Sequence, residues 1–183
     1  IDLSGAELEV ADMENRNVLL KTAVDEFLET SEEHYDYVII DCPPSLGLLV
    51  INAMCAVHEM LIPIQAEYYA LEGLGQLINT IGLVQEHFNP SLLVSTMLIT
   101  MFDKRTLLSR EVHDEVKNHY PTIVLNTTIP RTVKISEAPS FNQSVIAYDP
   151  KGMGAIAYCE AALEIARRSQ TVLKAIDARR NEN

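Results

Sequence analysis

The sequence lacks the features of a membrane-spanning or secreted protein. None of its apolar runs approaches the ~20 residues that a membrane-spanning helix needs. The opening residues, Ile1 to Ser4, are not a basic segment followed by an apolar one, so we expect no secretory signal there. The three cysteines, Cys42, Cys55 and Cys159, have neither paired nor metal-type spacing. Reduced thiols and a cytoplasmic location are therefore expected.

Basic residues are also scarce, with 14 lysines and arginines against 26 acids and a net charge of −12. Spread evenly, this charge would argue against a nucleic-acid partner. It is not spread evenly, because residues 1–100 carry 16 acids and 2 bases whereas residues 101–183 carry 10 acids and 12 bases. Binding follows local potential more than total charge, so the later part can hold a basic patch.

The length and apolar content of the sequence are those of a single domain, residues 1–183, with a substantial core. Helical spacing of apolar residues predicts helices near 18–30, 46–57, 71–88, 108–120 and from 154. Short apolar runs predict strands near 37–41, 60–64, 92–100, 123–125 and 145–147. This alternation predicts an α/β fold with a doubly wound, mostly parallel sheet and helices on both faces. Residues 1–17 are interpreted as a lead-in segment and residues 169–183 as a frayed tail.

One strand stands out because it ends abruptly in a carboxylate and prolines. Val38, Ile39 and Ile40 are consecutive and β-branched, which favours a strand buried on both faces. The prolines after Cys42 cannot extend a ladder, which leaves Asp41 at the carboxyl end of the strand. Ligands bind at that edge of open α/β sheets, where a carboxylate can hold a Mg²⁺ shell or a water beside a phosphate. The alternative is that Asp41 caps the turn before the next helix.

Four segments together resemble a known family, the ParA/Soj chromosome-partitioning ATPases, which are deviant-Walker P-loop proteins related to MinD. The resemblance extends from about Leu3 to Arg168, with the motifs in the family's order and spacing. The matching segments are Tyr35 to Ser45, Glu67 to Gly73, Ile129-Pro130-Arg131 with Ser136 to Ser140, and Tyr148 to Lys151.

The resemblance implies a P-loop NTPase-like fold and roles for particular residues with ATP and Mg²⁺ as cofactors. Asp41 is similar to the Walker B aspartate, which acts on Mg²⁺ through water and lies near the attacking water. Pro130 and Arg131 would contact the adenine base of the nucleotide. The switch that senses the γ-phosphate would contain Pro43, Pro44 and Ser45.

The resemblance also implies a homodimer that, when ATP is bound, binds double-stranded DNA without sequence preference. The two matching basic positions are Arg105 and Lys134, and at the second of these close relatives often carry arginine. A lysine keeps the charge but loses the guanidinium fork. Lys104 and Arg110 could widen the patch, but we interpret them as solvated surface charges. A ParB-like partition protein is the implied partner, the nucleoid the implied location, and no membrane contact is expected.

The sequence departs from the family at the phosphate-binding loop. None of its seven glycines lies in a G-x-x-x-x-G-K-[ST] or K-G-G-x-G-K pattern. We therefore expect this chain to be the C-terminal portion of a longer ParA-like ATPase domain, inactive alone and without bound nucleotide. The strand at 37–41 would then have an unpaired apolar edge, which favours poor solubility or self-pairing.

Three other functions remain open from the residues. One is a nucleotide-free, naturally truncated adaptor that heterodimerises or binds DNA without switching. Another is a MinD-like positioning ATPase bound to a membrane by its C-terminal helix, although residues 172–180 lack a bulky aromatic face. The third is a small α/β enzyme that uses Asp41 for acid–base chemistry, although neither a histidine nor a second carboxylate ends a comparable strand.

Overall fold

The structure is a computed structural model that describes the backbone of residues 3–181 and the side chains of residues 5–168. The chain divides into two compact units. Unit 1 comprises Ile1–Met60 and Gly75–Leu93, and unit 2 comprises Leu61–Leu74 and Val94–Asn183. The sequence predicts one domain, and this division is a further level of organisation.

Unit 1 is helical. It contains α1 (Leu3–Ala11), α2 (Leu19–Thr30), α3 (Leu48–Ala56) and most of α4 (Tyr69–His87). The sequence predicts the last three of these helices to within a few residues. It does not predict α1, since the acidic and weakly periodic residues 1–17 are interpreted only as a lead-in.

A buried asparagine joins two helices of unit 1. Asn52 is the one clearly polar residue in the apolar helix α3, and it is buried. Its side-chain Nδ2 donates to the carbonyl oxygens of Arg16 (2.6 Å) and Leu48 (3.0 Å). Its Oδ1 accepts from the backbone N–H of Leu20 at 3.2 Å. The amide thus satisfies backbone groups at the start of α2, which offsets the cost of burying a polar side chain.

Unit 2 contains most of a parallel two-stranded sheet of β1 (Glu59–Gln65) and β2 (Leu93–Thr100), both predicted from the sequence. The backbone N–H of Ala66 donates to the carbonyl of Thr100 at 2.9 Å, which sets the register. The four central residues 96–99 of β2 are all buried, as expected for a parallel strand covered on both faces.

The chain returns to the other side of β2 as extended segments rather than as a full strand. Val124 forms a parallel bridge with Met97, and Pro130 forms one with Phe102. The backbone N–H of Leu125 donates to Met97 O at 2.9 Å. The predicted strand at 123–125 is therefore reduced to a single bridge, because the chain turns away after it.

Helices flank this sheet. They are α5 (Leu107–His119), α6 (Val133–Glu137), α7 (Val145–Tyr148) and α8 (Met153–Asn181), with a 3₁₀ turn at Ala138–Phe141. Ala157 and Ala161 of α8 pack against the buried Leu98, Leu125 and Ile129. Small residues on α8 let the helix approach the sheet closely. The side chains of 169–183 lie outside the described residues, so fraying of that tail stays a prediction.

The strand predicted at 37–41 is wrong. Residues 37–43 belong to no strand, and the side chains of Tyr37, Val38 and Ile39 are 67%, 47% and 89% exposed. A strand is held by hydrogen bonds to a neighbouring strand, and none pairs with this segment within residues 3–181. The composition of the apolar run favours a strand, but it cannot by itself supply a strand to pair with.

The strand predicted at 145–147 is also wrong, because these residues form helix α7. Ser144 is its N-cap, and the serine side chain accepts a hydrogen bond from the backbone N–H of Ala147 at 3.3 Å. The backbone N–H of Asp149 bonds to Val145 O at 2.9 Å and closes the turn. A local cap thus outweighs the β-propensity of Val145 and Ile146.

Candidate functional site

The carboxyl end of the sheet in unit 2 gathers polar and charged side chains. Glu67 follows β1, Asp103 follows β2, and Arg131 follows the bridge at Pro130. Parallel strands end at the same edge of a sheet, and ligands of open α/β folds bind there. The structure places two predicted functional residues, Arg105 and Arg131, at this edge.

Asp103 and Arg105 form a two-bond ion pair. The Nε of Arg105 lies 3.0 Å from Oδ1 of Asp103 and its NH2 lies 2.7 Å from Oδ2. The backbone N–H of Arg105 also donates to Oδ1, at 3.0 Å. The hydrogen bonds from Arg105, with smaller contributions from the charges of Arg105 and Arg131, lower the pKa of Asp103 to about 2. Asp103 thus stays ionised and orients the guanidinium.

The Arg105 side chain is 84% exposed while that of Asp103 is only 20% exposed. The carboxylate therefore lies on the protein side of the guanidinium, and the guanidinium faces solvent. A planar, permanently charged fork in that position can bind a phosphate.

The segment Ile129-Pro130-Arg131 is fixed to the end of β2. The backbone N–H of Phe102 donates to Ile129 O, and the N–H of Arg131 donates to Phe102 O, both at 3.0 Å. The Arg131 side chain is exposed, with its NH1 3.7 Å from Oε1 of Glu67. Arg131 also contributes to the electrostatic environment of Asp103. Glu67, Arg131, Asp103 and Arg105 thus form a cluster of alternating charges, the edge cluster.

Lys134 lies on the short helix α6 with a different set of partners. Its Nζ is 3.0 Å from Oε2 of Glu137 and 5.3 Å from the centroid of the Tyr148 ring. The Tyr148 hydroxyl donates to the same Glu137 oxygen at 3.2 Å, and Phe141 stacks on the Tyr148 ring. The hydrogen bond to Glu137 and the glutamate charge raise the pKa of Lys134, so this amine is charged.

The other predicted site residues lie in unit 1 on the extended segment 37–47. The prediction that Asp41 ends a strand is wrong, since this residue is exposed and outside any strand. Pro43 is half-buried, and Pro44 and Ser45 are exposed. Burial, with a smaller contribution from the Asp41 charge, raises the pKa of the neighbouring Cys42 thiol.

The residues present supply only part of a Mg²⁺ site. Within the described part of the chain, no three His, Cys, Asp or Glu side chains are grouped closely enough to hold a metal ion. Magnesium in nucleotide sites binds one or two carboxylates plus substrate phosphates and waters. Asp41 can provide one such carboxylate through water, but the 183 residues contain no phosphate-binding glycine loop. A complete metal–nucleotide site therefore does not fit these residues alone.

Sequence reasoning missed the carboxylates and the ring beside the predicted cations. Asp103 and Glu137 lie two and three residues from Arg105 and Lys134, so spacing alone could have identified both pairs. Tyr148 is 14 residues from Lys134 and was expected to follow a strand. Its contact with the lysine depends on the helix α7, which the pattern did not predict.

Comparison with known proteins identifies the family. A family model described as an AAA domain matches residues 1–94. Sporulation initiation inhibitor protein Soj of Bacillus subtilis is 51% identical over 166 residues, which is 91% of this chain and 64% of that protein. Chromosome partitioning protein ParA of Myxococcus xanthus is 45% identical over 167 residues, 91% of this chain and 58% of that protein. The chain belongs to the ParA/Soj family of chromosome-partitioning ATPases.

The structure agrees with this family. It is similar to the crystal structure of cobyrinic acid a,c-diamide synthase from Mycobacterium smegmatis with bound ADP and magnesium, with a TM-score of 0.73 and 38% identity. The match covers 93% of this chain and 60% of that one. The chain is also similar in fold to the cell division ATPase MinD of Pyrococcus furiosus, with a TM-score of 0.60 and 21% identity over 82% of this chain and 58% of that one. It therefore has a P-loop NTPase-like ParA/MinD fold, which confirms the predicted α/β class.

The chain spans less than two thirds of the length of these ParA/Soj relatives. The activity of a whole partitioning ATPase is therefore a matter for proposal. Within residues 3–181, no helix is both long and apolar enough to cross a membrane. The segment 172–180, on which a MinD-like membrane helix would depend, has its side chains outside the described residues.

Proposed function

We propose that this chain is part of an ATP-switched partitioning ATPase that acts in chromosome or plasmid segregation. Its homodimer binds double-stranded DNA without sequence preference. The observation that carries the proposal is the edge cluster, where an outward-facing Arg105 and the exposed Arg131 lie around one carboxylate, Asp103. The proposed DNA contact Arg105 and the proposed nucleotide contact Arg131 would thus be close together in unit 2.

Arg105 and Lys134 are the proposed DNA contacts. Each is a charged side chain oriented by a carboxylate. Arg105 donates two side-chain hydrogen bonds to Asp103. Lys134 donates one hydrogen bond to Glu137 and lies over the ring of Tyr148. Cations held in this way lose less side-chain freedom when they bind a phosphate. Phosphate contacts carry no base information, which agrees with binding that is independent of sequence.

Pro130 and Arg131 are the proposed contacts to the adenine base, and Asp41 the proposed Mg²⁺ contact through water. The segment Ile129-Pro130-Arg131, here called the base segment, is held to the end of β2 by its two backbone hydrogen bonds with Phe102. Pro43, Pro44 and Ser45 follow Asp41 directly, so a γ-phosphate near Asp41 can be sensed by this mostly exposed segment. ATP and Mg²⁺ are the cofactors of the complete protein, and this chain alone binds neither.

The proposed partner is a ParB-like partition protein, and the proposed location is the nucleoid in the cytoplasm. No membrane contact is proposed. The DNA-binding face lies in the part of the sequence with slightly more bases than acids, whereas residues 1–100 are strongly acidic. The later part of the sequence, which contains Arg105 and Lys134, thus has the charge balance better suited to a phosphate backbone.

The test uses protein expressed from the complete reading frame. We expect it to hydrolyse ATP in the presence of Mg²⁺ and to bind random-sequence duplex DNA more tightly with ATP than without nucleotide. Asp41→Asn removes the carboxylate with little change in size and should abolish hydrolysis. Equal DNA affinity with and without ATP would support a nucleotide-free adaptor instead, and would overturn the proposed switch.

A separate test concerns the 183-residue chain itself. We expect no Mg²⁺-dependent ATP turnover from this chain, because it contains no glycine-rich phosphate loop. Turnover by the purified chain that persisted in Asp41→Asn would contradict both the inactivity and the role of Asp41. If the purified chain hydrolysed ATP and Asp41→Asn abolished that turnover, only the predicted inactivity of the chain would be contradicted.

A further inference from the structure

A carboxylate on the last helix binds the turn that precedes the base segment. Glu164 of α8 accepts hydrogen bonds from the backbone N–H of Asn126, at 2.9 Å to Oε1 and 3.1 Å to Oε2. It also accepts from the backbone N–H of Thr127 at 3.0 Å and from the side-chain amide of Asn126 at 3.2 Å. These contacts join residues that are 37 and 38 positions apart in the sequence.

Arg168, one helical turn later, binds the carbonyl groups of the same segment. Its NH1 donates to Thr122 O at 3.4 Å and Ile123 O at 3.1 Å, and its NH2 donates to Val124 O at 3.1 Å. The NH2 group also pairs with Glu164 Oε1 at 2.7 Å. The two side chains therefore satisfy the acceptors of residues 122–124 and the donors of 126–127, as a neighbouring strand would.

The same stretch is bonded to β2 on its other side. Leu125 N–H donates to Met97 O at 2.9 Å, Ile129 N–H donates to Ile99 O at 2.8 Å, and Arg131 N–H donates to Phe102 O at 3.0 Å. Helix α8 thus fixes the turn at 126–127, and β2 fixes the residues before and after it. Only Thr128 separates the turn from the base segment Ile129-Pro130-Arg131.

We propose that Glu164 is a positioning residue for the nucleotide base, acting through the turn at Asn126 and Thr127 on Pro130 and Arg131. The inference rests on the proposed function, since it assumes that these two residues contact adenine. Its substance is that base recognition, rather than phosphate binding, depends on a side chain of the C-terminal helix.

The charge of Glu164 is the relevant property. Its side chain is only 17% exposed, and the carboxylate offers two oxygens to the main-chain N–H groups of the turn. Glutamine in its place would keep one acceptor oxygen and present an NH₂ group to the other donor. The turn would then lose at least one of its bonds while α8 and its apolar contacts at Ala157 and Ala161 were retained.

The test compares Glu164→Gln with the matched control Glu160→Gln in protein expressed from the complete reading frame. Both changes remove one negative charge from α8, but Glu160 is exposed, and its side chain makes no hydrogen bond among residues 5–168. Calorimetric titrations measure the dissociation constants for ATP, GTP and inorganic tripolyphosphate. The tripolyphosphate contains the phosphate chain without a base.

We expect Glu164→Gln to raise the Kd for ATP about tenfold and to reduce the preference for ATP over GTP, with the Kd for tripolyphosphate unchanged. Glu160→Gln should behave as wild type for all three ligands. A general loss of folding in Glu164→Gln would weaken tripolyphosphate binding as well. Weaker tripolyphosphate binding would therefore contradict a role that is limited to positioning the base.

Two further outcomes separate the inference from the function on which it rests. If the wild-type protein binds ATP no better than GTP or tripolyphosphate, the assignment of Pro130 and Arg131 as base contacts fails, and the role of Glu164 fails with it. If the wild-type protein prefers ATP and Glu164→Gln retains that preference in full, only the role of Glu164 is overturned.

Discussion

The Arg105 guanidinium donates two hydrogen bonds to the Asp103 carboxylate, from Nε to Oδ1 at 3.0 Å and from NH2 to Oδ2 at 2.7 Å. The proposed DNA contact therefore already holds an anion in the absence of DNA. A phosphate that binds Arg105 must share the guanidinium with Asp103 or displace it. The carboxylate orients the cation and at the same time opposes binding of a second anion.

The first prediction concerns the effect of the Asp103 charge on phosphate binding at Arg105. Asp103→Asn removes the negative charge beside Arg105, so we expect the affinity for duplex DNA to rise about two- to fivefold, an effect typical of exposed charge pairs. Fluorescence anisotropy with labelled duplex measures it. The control Asp114→Asn removes an equal charge from an exposed residue of α5 and should change little. Unchanged or weaker binding in Asp103→Asn would show that its orienting role outweighs its charge.

The second prediction concerns the ring under Lys134. Tyr148→Leu removes the ring and should weaken DNA binding about two- to fivefold, because the Lys134 ammonium, 5.3 Å from the ring centroid, loses a contact that orients it. Tyr148→Phe keeps the ring and removes only the hydroxyl that donates to Glu137, so its affinity should stay close to wild type. Equal effects of the two changes would contradict a role for the ring.

The third prediction is a pH dependence at Glu164. Burial raises the pKa of this carboxyl, but the backbone N–H groups of Asn126 and Thr127 and the charge of Arg168 lower it more, so the net shift is downward. A lowered folded-state pKa stabilises the fold fully above the unfolded value of about 4.3, and this contribution is lost as the pH falls through the folded pKa.

Amide chemical shifts of Asn126 and Thr127 measure this titration. They should change with an apparent pKa below about 4.3 in the wild-type chain, and the same step should be missing in Glu164→Gln. A titration step at or above the ordinary glutamate value would contradict the hydrogen-bonded carboxylate.

The fourth prediction concerns the exposed apolar segment at Tyr37, Val38 and Ile39. An extended apolar segment with free backbone groups can pair with a second copy of itself. Ile39→Lys places a charge on the most exposed of the three side chains and should reduce self-association of the 183-residue chain. Sedimentation velocity at several concentrations measures this. Association that was unchanged in Ile39→Lys would mean that the copies meet elsewhere.

The sequence predicts the elements whose apolar spacing repeats over several turns or along a whole strand. Helices α2 to α5 and strands β1 and β2 are of this kind, and their bounds differ from the prediction by a few residues. The failures at 37–41 and 145–147 have a common origin. In both places β-branched residues favour a strand, and the outcome depends on whether a neighbouring strand or a capping serine is present.

The candidate site divides in the same way. Arg105, Arg131 and Lys134 are predicted from the family motifs, and Asp41 also from its place after an apolar run. The carboxylate neighbours of these cations in unit 2 could have been found by spacing. The contacts of Glu164 with Asn126 and Thr127 could not have been found in this way. A glutamate on a helix is usually exposed, and this one is almost 40 residues from the turn that it contacts. Contacts of that kind depend on how α8 packs against Leu125 and Ile129, which a local pattern does not encode.

The salt dependence of DNA binding tests the central claim most directly. Each phosphate contact contributes about 0.9 to the slope of log K against log salt concentration on duplex DNA. In ATP-bound protein from the complete reading frame, Arg105→Ala and Lys134→Ala should each reduce the slope by about that amount and weaken binding equally for unrelated sequences. Lys104→Ala and Arg110→Ala, at neighbouring surface cations, should leave the slope unchanged. Wild-type slopes in both Arg105→Ala and Lys134→Ala would contradict the proposed DNA face.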